Sequence, residues 1–143
     1  MPRTSFVVTG LILVSLLTAL PALAMTVGAL PAEQTQGAVT YVSGGVGQDE
    51  AQAFAAVARQ YPLTLEFAIK HTPRAEYTAN VHVTITDAQG QRLLDTRSDG
   101  PFLLAKLPAG QYTVMAERHG QTLARTVRVA PSHPAHALFL WVA

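Results

Sequence analysis

The sequence predicts a mainly β fold, a sandwich of about seven strands with one N-terminal α-helix packed on it. Two patterns predict the strands: apolar and polar residues alternate over most of the chain after Pro62, and turn signals separate the alternating stretches. The length of 143 residues, 49% of them apolar, suits one domain with a single core. The chain contains no Cys, so this core is expected to hold without disulfides.

The first segment, residues 1–24, is predicted to be a removable leader. It has Arg3 as its only charge, an apolar run from Phe6 to Leu17, and a small-residue end that closes at Ala24. This order is typical of a secretory signal peptide, and we expect cleavage after Ala24. The alternative is an uncleaved membrane anchor, because residues 6–24 are just long enough to cross a bilayer. With cleavage, the mature protein is expected to be periplasmic or secreted and free of the membrane.

Charge excludes one class of partner. Because Arg3 is the only charged residue of the leader, residues 25–143 balance nine acidic side chains with nine basic ones. Proteins that bind nucleic acids depend on Lys and Arg to neutralise phosphates. The mature chain is therefore not expected to bind nucleic acid.

The mature chain is predicted to begin with a flexible lead-in and to continue as one domain. Residues 25–38 contain Gly, Pro and a polar stretch without a period, which indicates a flexible segment. The domain, residues 39–143, starts with a short strand over 39–42. A helix is predicted over about 48–60, because this stretch lacks Gly and Pro and has acidic residues in its first turn. Its apolar stripe is expected to face the core, and its members are Phe54, Val57, Ala58 and Tyr61.

Period-two alternation predicts the remaining strands. A tight hairpin is expected at His119 and Gly120. Strict alternation places Arg125 on an apolar face, which a bulge or a sheet edge would resolve. The predicted strands cover residues 63–70, 81–86, 91–96, 102–106, 111–118, 121–129 and 136–142.

The last strand is apolar on both faces. Leu138, Leu140 and Val142 alternate with Phe139 and Trp141. A strand without a polar face is expected to be covered twice, once by the sandwich core and once by another element. The helix stripe around Phe54 is the predicted second cover.

Turn and core residues follow a recognisable pattern in three segments, Val81–Gly90, Leu107–Val114 and Thr126–Val129. Together they resemble the carboxypeptidase regulatory-like family of transthyretin-type β-sandwiches, most clearly in the Leu-Pro-x-Gly-x-Tyr-x-Val pattern of Leu107–Val114. The resemblance covers about residues 63–142. In addition, Tyr41–Gly45 with the following helix is similar to the front end of exported bacterial proteins of this type, which are mostly uncharacterised.

The resemblance implies an Ig-like or prealbumin-like sandwich that serves as a non-catalytic accessory or interaction domain. Fold analogy does not name its partner, for which an envelope protein is the expectation. The hydroxyisourate hydrolases share this architecture and close with a Tyr-Arg-Gly-Ser signature. This chain ends Leu-Trp-Val-Ala over residues 140–143, so that activity is not expected.

The residues with potential for catalysis or ligand binding are the His and Ser side chains and the Gly-rich loop. None of the five His has a Glu three residues on, as the zinc peptidases do, and His133 with His136 offers only two metal ligands. The glycines of residues 43–47 precede a helix but lack the Lys that phosphate-binding loops use. The three Ser of the mature chain, Ser43, Ser98 and Ser132, lie in turn-like surroundings outside any nucleophile motif.

The sequence therefore predicts no enzyme and no catalytic, cofactor-binding or metal residue, although a triad assembled by folding stays open. Tyr77 is the best candidate for an exposed aromatic contact, in a polar loop that also holds Arg74. Two functions are weighed: an interaction module of the cell envelope, and a small-molecule or glycan carrier that uses the loop near Tyr77. The oligomeric state is left open.

Overall fold

A computed structural model describes residues 29–143. The predicted leader, residues 1–24, and the start of the lead-in lie outside this part of the chain. The described residues form a mainly β sandwich of two sheets with one short α-helix, as the sequence predicts. None of the helical segments between residues 29 and 143 is long and apolar enough to span a membrane.

The helix α1 covers Gln48–Val57 and continues as a 3-10 turn over Ala58–Gln60. The strands are β1 (Gln34–Gln36), β2 (Val39–Gly44), β3 (Leu63–Lys70), β4 (Glu76–Tyr77), β5 (His82–Asp87), β6 (Arg92–Arg97), β7 (Phe102–Lys106), β8 (Gly110–Arg118), β9 (Gln121–Val129) and β10 (Ala135–Val142).

Two sheets, A and B, are built from these strands. Sheet A has the order β1-β2-β7-β3-β10, and β4 pairs with β3 beside β7. Sheet B has the order β6-β5-β8-β9. All pairs are antiparallel except β3 with β10, which run parallel over their full length from Leu63 opposite Ala135 to Lys70 opposite Val142.

The main core lies between the two sheets. Sheet A contributes an aromatic group in which Phe67 lies 5.9 Å from Phe139 and 6.4 Å from Trp141, measured between ring centroids. Sheet B contributes branched side chains at alternate positions, among them Val83 and Ile85, which are completely buried. The inward positions of the alternating patterns are thus the ones that the fold buries.

A second, smaller cluster lies on the other side of sheet A, beneath helix α1. Phe54 of the helix and Tyr61 after it pack against Val42 of β2 and Leu104 of β7. The helix and the 3-10 turn that follows it therefore cover the outer face of sheet A over β2, β7 and the start of β3, where Thr64 is buried and donates to the Ala58 carbonyl. We use "outer face of sheet A" for the side turned away from sheet B.

The predicted cover of the last strand is wrong. Strand β10 lies at the edge of sheet A, and two of its three aliphatic outer positions are exposed in the described part of the chain: Leu138 is 41% exposed and Val142 is 71% exposed, whereas Leu140 is half-buried. The physical reason is strand order, because β3 separates β10 from the strands that the helix covers. Local alternation does not reveal the order of strands in a sheet.

The segment that the sequence indicates as a flexible lead-in contains strand β1. Gln34–Gln36 pairs antiparallel with Val39, Thr40 and Tyr41 of β2, and the Tyr41 hydroxyl donates to Gln34 Oε1 at 3.0 Å. Backbone pairing and polar side-chain hydrogen bonds hold residues 34–36 against β2, although these residues have no apolar period.

The structure accounts for the predicted β8–β9 hairpin and for the position of Arg125 on an apolar face of its strand. His119 and Gly120 have φ values of 48° and 77° and join β8 directly to β9, the tight turn that their sequence predicts. Arg125 lies opposite Val114 without any shift of register between the two strands. Because β9 is the edge of sheet B, Arg125 reaches solvent from an inward position, so the sheet-edge alternative is right.

Candidate binding surface on the outer face of sheet A

Within residues 29–143, much of the outer face of sheet A beyond helix α1 is left without a covering element, and register sets which side chains meet there. Glu66 of β3 lies between Phe102 of β7 and Leu138 of β10. One pair further along, Ala68 lies between Tyr77 of β4 and Leu140 of β10. Paired residues share a face of the sheet, so aromatic and aliphatic side chains surround Glu66.

A groove opens where this face meets the start of helix α1, and we call it the Tyr77 groove. Its volume is about 480 Å³. The two large side chains that line it are unusually open for apolar groups, because Val46 is 64% exposed and Tyr77 is 58% exposed. The lining residues are Gly45, Val46, Gly47, Gln48, Ala51, Tyr77, Thr78, Ala79 and Pro101.

Glycines shape the side of the groove next to the helix. Gly45 and Gly47 have φ values of 96° and 85°, in the region that favours glycine, so the chain turns sharply from β2 into α1. Val46 between them is thereby left in solvent. Next to the groove, the backbones of Gly44 and Gly100 are closely packed, since a Cβ on Gly100 would lie 2.2 Å from the Gly44 carbonyl oxygen.

The loop is not arranged to bind phosphate. The Glu50 carboxylate accepts a hydrogen bond from the Gly45 N–H at 2.7 Å. It thus places a negative charge where an anion would need amide donors. The Gly-rich segment serves as a turn, which agrees with the sequence interpretation.

Tyr77 is held in place from two sides. Its ring packs against Phe102, with 5.4 Å between centroids and an angle of 49° between the planes. Its hydroxyl donates to Glu66 Oε1 at 2.8 Å, and this hydrogen bond, followed by burial, raises the pKa of the Tyr77 phenol. The ring is therefore fixed at the mouth of the groove rather than free to rotate.

The second oxygen of the Glu66 carboxylate continues the network. Glu66 Oε2 lies 2.7 Å from His136 Nε2 on β10, and the Glu66 side chain is only 18% exposed. The order Tyr77–Glu66–His136 links β4, β3 and β10 across the outer face. The two oxygens of the Glu66 carboxylate thus bond to different side chains, which orients Tyr77 and His136 relative to each other.

A second polar cluster lies on the outer face of sheet B. His82 Nε2 is 2.6 Å from Asp95 Oδ1 and its Nδ1 is 3.9 Å from Glu117, while Arg92 donates to Asp95 at 3.1 Å. The hydrogen bond to His82 is the main cause that lowers the pKa of Asp95. These side chains are substantially exposed, as expected for ion pairs on a solvated face.

The other residues that the sequence singled out are dispersed. Ser43 is buried and donates to Asp99, and the buried Ser98 hydroxyl accepts from the Val81 N–H. Ser132 and His133 are exposed in the loop before β10, whereas His136 lies on that strand. Between residues 29 and 143 no three His, Cys, Asp or Glu side chains are grouped to hold a metal ion.

Sequence reasoning identified Tyr77 but missed its partners. Arg74 is exposed and does not line the groove. Val46, Phe102 and Glu66 join Tyr77 only through the fold, since they come from four separate segments. The one local signal was Val46 itself, a large apolar residue between glycines in a turn, where burial is not expected.

Fold and surface together define a two-sheet β-sandwich with an open apolar groove. The sequence matches no protein-family model and no curated protein. The resemblance to the carboxypeptidase regulatory-like family therefore stays a prediction.

Proposed function

We propose that this chain is an exported, non-catalytic interaction module of the cell envelope that binds a protein partner through the Tyr77 groove. The observation that carries the proposal is the exposure of Val46 and Tyr77 on the two walls of one groove. Exposed apolar side chains that cluster in this way mark sites of association. The leader pattern of residues 1–24 and the family resemblance support the same function.

The fixed position of Tyr77 favours binding. Tyr is enriched among the residues that dominate interface energetics, because it offers a large apolar area and a polar tip. A side chain that is already held by Phe102 and Glu66 loses little rotamer freedom when a partner binds. The groove is thus preorganised for contact with a protein surface.

Site-specific photo-cross-linking in exporting cells tests the proposal. A benzophenone amino acid replaces Val46 in one variant and Met115 in the matched control, which is 44% exposed on the outer face of sheet B. We expect one recurrent adduct mass from position 46 and none from position 115. The same adducts from both positions, or none from either, would contradict binding at the groove.

Affinity for the captured partner tests the role of the tyrosine. Tyr77→Ala is expected to weaken binding at least about 30-fold, the loss that truncation of an interface hot spot produces. Tyr77→Phe keeps the ring and the Phe102 contact and is expected to lose much less. If Tyr77→Ala binds as the parent does, another surface carries the interaction.

Export is tested on the same cells. The mass of the protein from the envelope fraction is expected to correspond to a chain that begins at Met25. Ala24→Trp places bulk in the cleft of the signal peptidase and is expected to leave residues 1–24 attached. A full-length mass for the parent protein would support the anchored alternative.

A small-molecule or glycan carrier is the second candidate function. The groove volume of about 480 Å³ lies in the range of small-ligand sites, and the Tyr77 ring offers a flat face to a sugar or an aromatic compound. A ligand at about 100 times its dissociation constant would add about 2.7 kcal/mol of stability. A thermal-shift screen of glycans and metabolites on the parent and on Tyr77→Ala separates this function from protein binding.

A further inference from the structure

Apart from the two-residue β4, four strands form the edges of the two sheets, and three of them carry features that discourage pairing with another chain. In sheet A the edge strand β1 has only three residues, all polar. In sheet B the edge strand β6 carries Arg92, Asp95 and Arg97, and the edge strand β9 carries Arg125 and Arg128. Short length and charge are the usual means by which proteins block association at sheet edges.

The fourth edge, β10, has none of these features. Its eight residues, Ala135–Val142, include no Lys, Arg, Asp, Glu or Pro, and within the described part of the chain it pairs with β3 alone. Three of the four side chains on its outer face are aliphatic. Both the backbone and the side chains of this edge are therefore suited to a further strand.

The backbone groups that face the free edge can be assigned. The Ala135 N–H donates to the Pro62 carbonyl at 2.8 Å, so Ala135 directs its backbone groups toward β3. Backbone groups alternate between the two sides of a strand. His136, Leu138, Leu140 and Val142 therefore direct their N–H and C=O groups toward the free edge.

We propose that two copies of this chain pair along β10, antiparallel, with Leu138 of each copy opposite Leu140 of the other. This register also places His136 opposite Val142, so all four outward residues are matched and each pair exchanges two hydrogen bonds. The proposal is independent of the function assigned to the Tyr77 groove.

The composition of β10 fits a second copy as the occupant. The strand contains no Lys, Arg, Asp or Glu, so in this register no like charges face each other. The two-fold arrangement also joins the aliphatic rows of both copies, and their members are Leu138, Leu140 and Val142. An interface with the same patch on both subunits is the commonest form of homodimer.

The core holds β10 in position for this pairing. Phe139 and Trp141 point inward and are almost completely buried, and Trp141 Nε1 donates to the Gln121 carbonyl of β9 at 3.0 Å. The strand is thereby anchored to both sheets while its outer edge stays accessible.

Sedimentation of the exported protein and its variants tests the pairing. The parent protein is expected to have twice the mass of one mature chain. Leu140→Pro removes an N–H that faces the free edge and no bond to β3, so it is expected to leave a folded monomer, as verified by circular dichroism and thermal unfolding. Leu138→Lys is expected to give a monomer as well, whereas the control Met115→Lys stays dimeric. A monomeric parent, or a dimer that survives both β10 variants, would overturn the proposal.

Cysteine cross-linking tests the register and does not depend on the proline variant. The chain has no Cys, so each introduced thiol is unique. Leu138→Cys and Leu140→Cys, mixed from separate preparations under oxidation, are expected to form a disulfide because opposed Cα atoms lie about 5.5 Å apart. Each variant alone pairs its thiol with a diagonal neighbour and is expected to cross-link at least tenfold more slowly. Equal rates in all three samples would refute the register.

Discussion

Phe54 is the residue that couples helix α1 to sheet A. Its side chain is completely buried, and its ring stacks on Phe102 at 5.8 Å between centroids with an interplanar angle of 17°. The same Phe102 ring also packs against Tyr77. A change at Phe54 therefore affects both the second core cluster and the wall of the Tyr77 groove.

We expect Phe54→Ala to lower the free energy of unfolding by about 3–5 kcal/mol, since it removes a fully buried ring and leaves a cavity. Val46→Ala is the matched control on a mostly exposed side chain and is expected to change stability by less than about 0.5 kcal/mol. Urea denaturation measures both. A loss below about 0.5 kcal/mol for Phe54→Ala would show that the helix is free of the core.

Tyr61 is the residue whose ionisation is coupled to folding at alkaline pH. Burial, and then the hydrogen bond that its hydroxyl donates to Glu33, raise the pKa of the phenol from 10.0 to about 12. Lys106 lies 2.9 Å from the same Glu33 carboxylate and supports this arrangement. The folded state thus favours the neutral phenol.

Stability from Tyr61 is expected to be fully present below pH 10 and to be lost as the pH rises from about 10 to about 12, because the unfolded phenol ionises first. Urea midpoints of the parent protein and of Tyr61→Phe are measured across this pH range. The midpoint of the parent is expected to fall, whereas that of Tyr61→Phe is not expected to show this contribution, because Phe has no hydroxyl to ionise. Glu33→Gln removes the acceptor charge and should shift the phenolate absorbance titration to lower pH. Identical pH profiles for the parent and Tyr61→Phe would contradict the coupling.

At the scale of elements, the β8–β9 hairpin shows how turn chemistry sets register. His119 and Gly120 both have positive φ, as a two-residue turn between twisted strands requires. Asn occupies this conformation more readily than His, and β-branched residues strongly disfavour it.

We therefore expect His119→Val to destabilise the protein by about 1–2 kcal/mol and His119→Asn to keep or slightly raise its stability. The side chain is exposed, so the contrast reports backbone conformation rather than lost contacts. Thermal unfolding compares the two variants. Equal stability of both variants would show that the turn adapts to either residue.

The strands show what alternation predicts and what it does not. Residues 63–70, 102–106 and 121–129 form strands with the predicted bounds, because burial of one face imposes period two on the sequence. Strand β1 was missed, since its polar residues pair by backbone and leave no apolar pattern. The uncovered face of β10 was also missed, because it depends on the parallel pairing with β3 across about half of the chain length.

The candidate site was less predictable than the fold. The polar surroundings of Tyr77 in the sequence predict an exposed side chain, and in the structure the side chain is exposed. Its hydrogen bond to Glu66 and its contact with Phe102 join separate strands, and the link from Glu66 to His136 spans 70 residues of sequence. Contacts of this kind follow from sheet order, which a single sequence does not contain.

At the scale of the whole molecule, the described residues have two cores of unequal size. The main cluster joins both sheets, whereas the second contains four buried side chains, Val42, Phe54, Tyr61 and Leu104. Local opening needs less free energy where fewer apolar contacts are broken. We therefore expect helix α1 to detach from the domain at a lower free energy than the strands of the main core.

Native-state hydrogen exchange is expected to show lower opening free energies for the amides of α1 than for those of β5 and β8, the two central strands of sheet B. Phe54→Ala should lower protection in the helix further and leave β8 nearly unchanged. Equal opening free energies in the helix and in the sheet strands would show instead that the protein opens only as one unit.

The parallel pairing of β3 with β10 has a consequence for the order of events during biosynthesis. The hairpins of sheet B join neighbouring segments and can form as soon as they are made, whereas one side of β3 must wait for β10, which lies far along the chain. Until then the aromatic side chain of Phe67 lacks the contacts that Phe139 and Trp141 provide. The larger sheet therefore acquires its β3–β10 pairing later than the local hairpins of the smaller sheet form, and a nascent chain that contains β3 but not yet β10 exposes part of its future core.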